Sequence, residues 1–321
     1  MVRDWFSSSP SVHLINMEGY NIRWGAAVKP GETNREDAHR LHDLANNGGL
    51  AAIADGAGGK GVFVGKWAQT LLNHLPETPF EHDEAFKSWF APVAVEFFKT
   101  HKADAQQYEH TWTKFLQEGS AATLSALWLP NSHDRTSPFT ALVYGDSPMM
   151  RYRFDGKTLQ MPEHLPTLSS FSYKTPLLNW SAEYPFNPNH CHIHSFHPEN
   201  ELVLLATDAL AQLILIRYLL SKPDEEPYIR QLKDAEAAGG IHAQLITANR
   251  MADLPVSFDE WLRLLLNTLK TNPQEETDEF KNLLYRYFEQ GLIEEDDYTL
   301  IALEIPSALE TQIGFPTQND L

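Results

Sequence analysis

Four apolar runs of strand length, GLAAIA (49–54), FTALVYG (139–145), ELVLLA (201–206) and YTLIALEI (298–305), each meet a carboxylate at one end. Asp55 follows the first and Asp146 the second; Asp208 stands two residues beyond the third, and Asp296 with Asp297 opens the last. Glu36 and Asp37 form a fifth acidic pair in the connection after an earlier strand, YNIRWGAAV (20–28). Short apolar runs bounded by turn residues read as buried strands. A chain built this way holds several acids rigidly at the edges of a sheet core.

Any one of these aspartates, taken alone, is an ordinary solvated turn residue. Taken together they carry meaning only if several share one end of the packed sheet. Two carboxylates about 4 Å apart repel by roughly 4 kcal/mol at an effective dielectric near 20. Uncompensated, such a cluster takes up protons or separates. Hard dications remove the repulsion: Mg²⁺ and Mn²⁺ prefer oxygen ligands and keep several waters, so a few carboxylates and a backbone carbonyl suffice. Two such ions about 3.5 to 4 Å apart can share a water, lower its pKa and clamp a phosphoryl oxygen, which is hydrolase chemistry.

The remaining pattern is mixed. Helical spacing of apolar residues runs from Val62 to Leu75 and over 82–102, where Pro92 is expected to bend the helix. SAATLSALWL (120–129), FTALVYG and MMRYRF (149–154) give three strands, with GDSP read as a hairpin turn. Residues 155–200, rich in Pro, Ser, His and Asn, form an irregular excursion. Helical patterns follow over 209–221, 228–249, 257–271 and 276–290 before the closing strand, and the tail TQIGFPTQNDL reads as loose. The order predicts an α+β fold of layered, mainly antiparallel sheets flanked by helices, with residues 1–321 forming one domain and 222–275 a helical insertion.

Composition excludes several classes. The formal charge is −18, with 25 Lys and Arg against 43 Asp and Glu, the wrong sign for a nucleic-acid partner. No apolar stretch reaches the roughly 18 residues that span a bilayer, and MVRDWFSSSPSVHLINMEGY lacks a signal peptide's apolar core, so no membrane partner is expected and the expected location is cytoplasmic. Cys191 is the single cysteine, which excludes an internal disulfide; it is read as a packed or idle thiol.

GAGGKG (56–61) matches the dinucleotide fingerprint G-x-G-x-x-G, but the acid at the appropriate distance, Glu77, follows no strand, and Asp55 would face the pyrophosphate. A P-loop would need Gly at the position of Ala54 and Ser or Thr at Gly61. The nucleotide-binding reading is therefore set aside. The glycines read as a tight strand-to-helix turn requiring positive φ, which lets the Gly56 carbonyl approach an ion.

In sequence order, NRED (34–37), ADGAGG (54–59), GSAAT (119–123), VYGDS (143–147), LLATDAL (204–210) and EDDYT (295–299) resemble the protein phosphatase 2C (PPM) family. The resemblance covers about residues 20–305. It implies an α/β/β/α sandwich of two antiparallel sheets flanked by helices, and a phosphoserine/phosphothreonine protein phosphatase using two Mn²⁺ or Mg²⁺ ions and no phosphoenzyme. By position, Asp55 would bridge both ions, the Gly56 carbonyl would bind one, and Asp208 and Asp296 would hold the other. Glu36 would act through a water, and Asp37 would bond the nucleophilic water or its neighbours. Asp146 with Asp208 would hold the third, weaker ion of some members, and 155–200 takes the place of the family's substrate-selecting flap.

Three departures accompany the resemblance. Glu32 stands where members carry a phosphate-gripping Arg, leaving Lys29, Arg35 or Lys60 as substitutes. Ala57 replaces the histidine that some members place within DGxGG, and TDAL replaces a serine-aspartate-glycine turn. Glu32 motivates the alternative of a catalytically inactive, phosphatase-like binding module. His39 and His42 lie near the acid pair, and the alternating His190, His192 and His194 read as an edge strand or loop rather than a zinc site.

Overall fold

The computed structural model describes residues 20–44, 48–131, 136–171, 175–271 and 277–305, and Lys60 by its backbone alone. The expected loose tail and the segment read for a signal peptide lie outside these residues. Thirteen strands are described: β1 (Asn21–Ala27), β2 (Ala38–Asp43), β3 (Gly49–Ala54), β4 (Gly56–Gly61), β5 (Ser120–Ala122), β6 (Leu124–Leu129), β7 (Phe139–Tyr144), β8 (Met149–Arg153), β9 (Thr158–Gln160), β10 (Leu178–Asn179), β11 (Cys191–Phe196), β12 (Glu201–Ala206) and β13 (Tyr298–Ile305). Helices α1 (Val64–His74), α2 (Asp83–Ala105) and α3 (Glu109–Glu118) precede β5; α4 (Asp208–Leu220), α5 (Glu226–Ala238), α6 (Gly240–Met251), α7 (Phe258–Asn267) and α8 (Asp278–Glu289) precede β13.

Two five-stranded sheets, ordered β1-β13-β12-β8-β9 and β11-β7-β6-β3-β2, carry the fold, and a small third sheet is ordered β10-β5-β4. Their pairings are antiparallel, β12 with β13 and with β8, and β3 with β2 and with β6. Period-two alternation sorts the side chains into layers. Val203, Leu205, Ile301 and Leu303 meet Ala51, Ile53, Leu127 and Val143 between the sheets. Their neighbours Leu202, Leu204, Leu300 and Ala302 pack outward on α4, α7 and α8. Leu50, Ala52, Leu124 and Ala126 pack outward on α1 and α2 through Trp67, Leu71, Phe86 and Phe97. The result is the expected α/β/β/α sandwich. No helix among the described residues is long and apolar enough to cross a membrane.

Several local expectations give way to packing. The GDSP connection is no hairpin, because β7 belongs to the second sheet and β8 to the first, so the turn crosses between sheets at one end of the sandwich. The strand expected over 120–129 divides at Thr123, whose N–H and Oγ1 are engaged by Asp55. The helix expected over 228–249 breaks at Gly239 and Gly240, both at φ +72°. Helix α2 runs unbroken past Pro92, and its His82 side chain accepts the Ala85 N–H at the start. His192 and His194 do lie on an edge strand, β11, paired to β7.

The glycine stretch is itself a strand, β4, and only Gly61 in it has a positive φ, +107°. Gly56 and Gly58 serve close approach instead. A Cβ on Gly56 would stand 2.7 Å from the Glu36 carbonyl oxygen, and one on Gly58 would stand 2.2 Å from the Glu36 carboxylate. Gly65, in the first turn of α1, has the Arg35 carbonyl 2.8 Å from the same vacant position. The run is glycine-rich because the segment bearing the acid pair lies directly on it.

Candidate metal centre

The acid-bearing segments are held together by threonines. The Thr123 N–H donates to the Asp55 carbonyl at 2.9 Å, while the Asp55 N–H donates to Thr123 Oγ1 at 3.1 Å. Thr123 Oγ1 is also 2.7 Å from Ser147 Oγ, so the turn carrying Asp146 is fixed beside Asp55. At the other side the Thr207 N–H donates to the Thr299 carbonyl and the Thr299 N–H to Thr207 Oγ1, both at 3.1 Å. That pair brings Asp208, at the start of α4, next to the start of β13 with Asp296.

The adjacent acids 296 and 297 do different work. Asp297, 2% exposed, accepts the Lys29 N–H at 2.7 Å and the N–H groups of Glu36 and Asp37, clamping the connection from Lys29 to Asp37. Asp37 is buried too; its Oδ2 accepts from Thr299 Oγ1 at 3.0 Å, while Oδ1 has no hydrogen-bond partner.

Asp55, Gly56, Asp146, Asp208 and Asp296, all predicted, line one cavity of about 430 Å³. Glu36 and Asp37 are not among its lining residues, but Glu36 packs on Gly58, which is, and the charge of Asp37 acts on Asp55. The lining adds Glu294, Gln212, Ile241, His242, Phe171, Thr175 and Leu177, which sequence reasoning did not single out. Glu294 belonged to the visible acidic run before β13. Gln212, Ile241 and His242 come from helices, where the sequence carries no sign of which turn faces a cavity. The segment read as an insertion thus contributes a wall, with His242 Nε2 2.9 Å from Gln212 Oε1.

Five carboxylates line this cavity, and among the described residues neither Lys nor Arg does. Burial, followed by the charges of Asp37, Asp296 and Asp146, holds the Asp55 carboxyl well above its ordinary range. Asp208 is raised likewise by burial and by Asp55, Asp296 and Asp146, and Asp37 by burial and by Asp296 and Asp297. Asp296 is pushed up to about 6, chiefly by burial, and Glu294 is raised by burial and Asp296.

Of the three residues read as substitutes for a phosphate-gripping Arg, the Lys60 side chain lies outside the described residues, and Lys29 and Arg35 are engaged with other partners. Lys29 Nζ sits 3.4 Å from Glu32 and 3.5 Å from Glu36. Arg35 Nε donates to the Asp37 carbonyl at 2.9 Å, and its Nη2 is 3.5 Å from His39 Nδ1. His39 stacks on Trp24 at 4.4 Å and is lowered to about 3 by burial and Arg35, so it is a neutral packing residue. Burial pushes the Cys191 thiol up to about 12, in keeping with an idle role.

Among the described residues no group of three or more His, Cys, Asp and Glu side chains is already closed into a coordination set. The donors nevertheless suit a hard dication: they are oxygens, the cavity leaves room for water, and the buried Asp37 Oδ1 lacks a partner. Small dications that keep most of their waters need few direct protein ligands.

No family model matches the chain, and no curated protein matches it. Among solved structures it is similar to the serine/threonine phosphatase of S. agalactiae, at 12% identity and a TM-score of 0.47 over 89% of this chain and 99% of that one. It is similar also to serine/threonine phosphatase Stp1 from Staphylococcus aureus (11% identity, TM-score 0.46, 89% and 95%). A third is RsbX in complex with magnesium (13% identity, TM-score 0.43, 91% and 98%). These are likenesses of fold; the chemistry of the cavity has to follow from its own residues.

Proposed function

We propose that this chain is a metal-dependent protein phosphatase that hydrolyses phosphoserine or phosphothreonine, acting as one catalytic domain in the cytoplasm. The observation that carries this reading is the convergence of Asp55, Asp146, Asp208, Glu294 and Asp296 on one cavity, which no Lys or Arg lines among the described residues. Only bound dications make that density of buried negative charge stable with every group ionised. Asp55, Asp208 and Asp296, with the Gly56 carbonyl, would hold two Mn²⁺ or Mg²⁺ ions; Asp146 and Glu36 would serve from the periphery, and Asp146 with Asp208 would hold a third. Bound there, such ions supply an activated water and neutralise phosphoryl charge.

The chain's own residues supply order and proton handling. The Thr123 and Thr207–Thr299 links fix the acids before substrate arrives, so little reorganisation accompanies the reaction. Asp37, fixed by Thr299 with Oδ1 still unpartnered, is placed to accept a proton from a water beside Asp55. The anionic cavity disfavours a phosphate unless ions are present, which makes turnover strictly dependent on metal.

A second reading, a phosphoprotein-binding module without turnover, draws support from the same lining, because no Arg or Lys lines the cavity among the described residues. Release of phosphate from a phosphoserine peptide with Mn²⁺ decides between them. The enzyme reading expects turnover that EDTA and Asp55→Asn each abolish; Mn²⁺-dependent peptide binding without phosphate release would support the second reading.

A further inference from the structure

Beside the cavity above lies a second one of about 520 Å³, and Gly59, Thr175 and Leu177 line both. The second cavity is walled by Glu118, Ala121, Tyr144, Asn179, Glu183 and Tyr184, with Pro176 and Pro185 beside them. Its walls are firmly held. β10 pairs with β5, the Trp67 indole N–H donates to the Leu178 carbonyl at 2.8 Å, and the Asn179 amide donates to the Glu118 carbonyl at 2.8 Å. Asn179 Oδ1 accepts the Ser181 N–H at 2.9 Å, which sets the course of the chain into Glu183 and Tyr184. Glu118 keeps its place by accepting the Gly61 N–H at 3.1 Å, with Lys114 3.6 Å away at its outer side. Glu183 is exposed, and the Tyr184 ring is 49% exposed.

Two properties single out an occupant. The cavity adjoins the one proposed to accept the phosphate, with three lining residues in common, so residues flanking a phosphoresidue in the first come within reach of the second. Among the described residues its charged lining groups are both glutamates, in a protein of formal charge −18. Cations on the substrate therefore gain in both encounter and orientation, whereas acids are repelled. An exposed tyrosine beside prolines adds a face on which an Arg guanidinium can stack.

We infer that this second cavity is a docking subsite for the flanking residues of an extended phosphopeptide, and that it selects Lys or Arg within about four residues of the phosphoserine. The inference rests on the phosphatase reading, which it deepens by naming the substrate class. Glu183 supplies the charge facing the incoming cation, and Tyr184 supplies the ring.

The experiment compares three phosphoserine peptides that differ only in having Arg, Ala or Glu at the flanking positions. With Mn²⁺ and the full chain, kcat/KM is measured alongside binding by fluorescence anisotropy. The Arg peptide is expected to exceed the Glu peptide by about tenfold or more at low salt, with the difference shrinking as ionic strength rises. Glu183→Lys is expected to bring the ratio to one or below, and Tyr184→Ser to reduce it. Both residues are exposed, so neither change threatens the fold. Equal rates on the three peptides, or a ratio unaltered in Glu183→Lys, would overturn the subsite. If no peptide is hydrolysed, the phosphatase reading fails alone, and anisotropy still decides the subsite by whether the Arg peptide binds more tightly.

Discussion

The Lys29 backbone N–H donates to Asp297 Oδ1 at 2.7 Å, joining the start of the connection that follows the first strand to the start of the last strand. With the Glu36 and Asp37 N–H groups on Oδ2, one buried carboxylate holds the whole segment that carries the acid pair. Its neighbour Asp296 turns into the cavity instead. Adjacent acids in one motif thus have opposite energetic signs, Asp297 as a satisfied acceptor and Asp296 as one of several repelling charges.

Asp297→Asn should therefore lower stability by about 2 kcal/mol, since an amide offers one acceptor oxygen where the carboxylate uses two, and charge-assisted hydrogen bonds are worth about 1.5 to 3 kcal/mol. Urea denaturation of the metal-free protein measures this directly.

Asp296→Asn should act the other way. Removing one of several buried like charges raises the urea midpoint of the metal-free protein, while the rise in Tm on adding Mn²⁺ shrinks because an oxygen proposed to bind metal is lost. A variant less stable than the parent without metal would contradict the repulsion argument.

Glycine substitutions separate close approach from backbone conformation. In Gly56→Ala the new Cβ meets backbone, the Glu36 carbonyl at 2.7 Å and Val64 C at 3.0 Å, so a loss of about 1 to 3 kcal/mol is expected. Gly59→Ala meets nothing within 4 Å and should be nearly neutral. Thermal melts of the two variants side by side check the contrast.

Far from the cavity, Arg151 forms a two-pronged bond to Glu201, at 2.9 and 3.0 Å, and the Glu201 side chain is 1% exposed. Arg151→Met strands that carboxylate and should cost about 3 to 5 kcal/mol, whereas Arg151→Met with Glu201→Leu should recover most of the loss. A double-mutant cycle in urea reads the coupling.

His164 gives the pH dependence. Its ring stacks on His192 at 3.9 Å, its Nε2 is buried without a partner, and burial, then the neighbouring His192, lower it to about 4. His192, His194 and Glu163 share its cavity with Arg151. The unfolded chain then binds a proton near pH 6.5 that the folded chain refuses until about pH 4, so stability falls as pH drops through that window. The raised carboxyls of Asp55, Asp208 and Asp296 act in the opposite sense, so His164→Gln should leave the protein relatively more stable at pH 4 than at pH 6.5 when compared with the parent, read from urea midpoints at both pH values.

Much of this was legible in the sequence for simple physical reasons. Strands buried on both faces, such as GLAAIA and ELVLLA, are apolar throughout and end abruptly at their acids, so both the strands and the rim positions of Asp55 and Asp208 could be read. The same runs hid other features. β4 was invisible because glycines have no side-chain periodicity, and its need for glycine comes from Glu36, which lies across it in space. The crossing between sheets at Gly145 to Ser147 looks like a hairpin in sequence, since turn residues report chain reversal but not the partner strand. Asp297 was grouped with Asp296, because which of two adjacent acids faces a cavity depends on which side of β13 each side chain takes. His242 and Gln212 carried no local signal, being ordinary helical residues until α6 packs beside α4.

The central claim, that acids from distant strands converge to hold dications, is tested most directly by an anomalous-scattering map of crystals soaked in Mn²⁺. Peaks are expected in the cavity bounded by Asp55, Asp208 and Asp296, and are expected to be lost in Asp55→Asn crystals; a map with no peak there, at Mn²⁺ concentrations that saturate any activity, would rule out dications held by these acids.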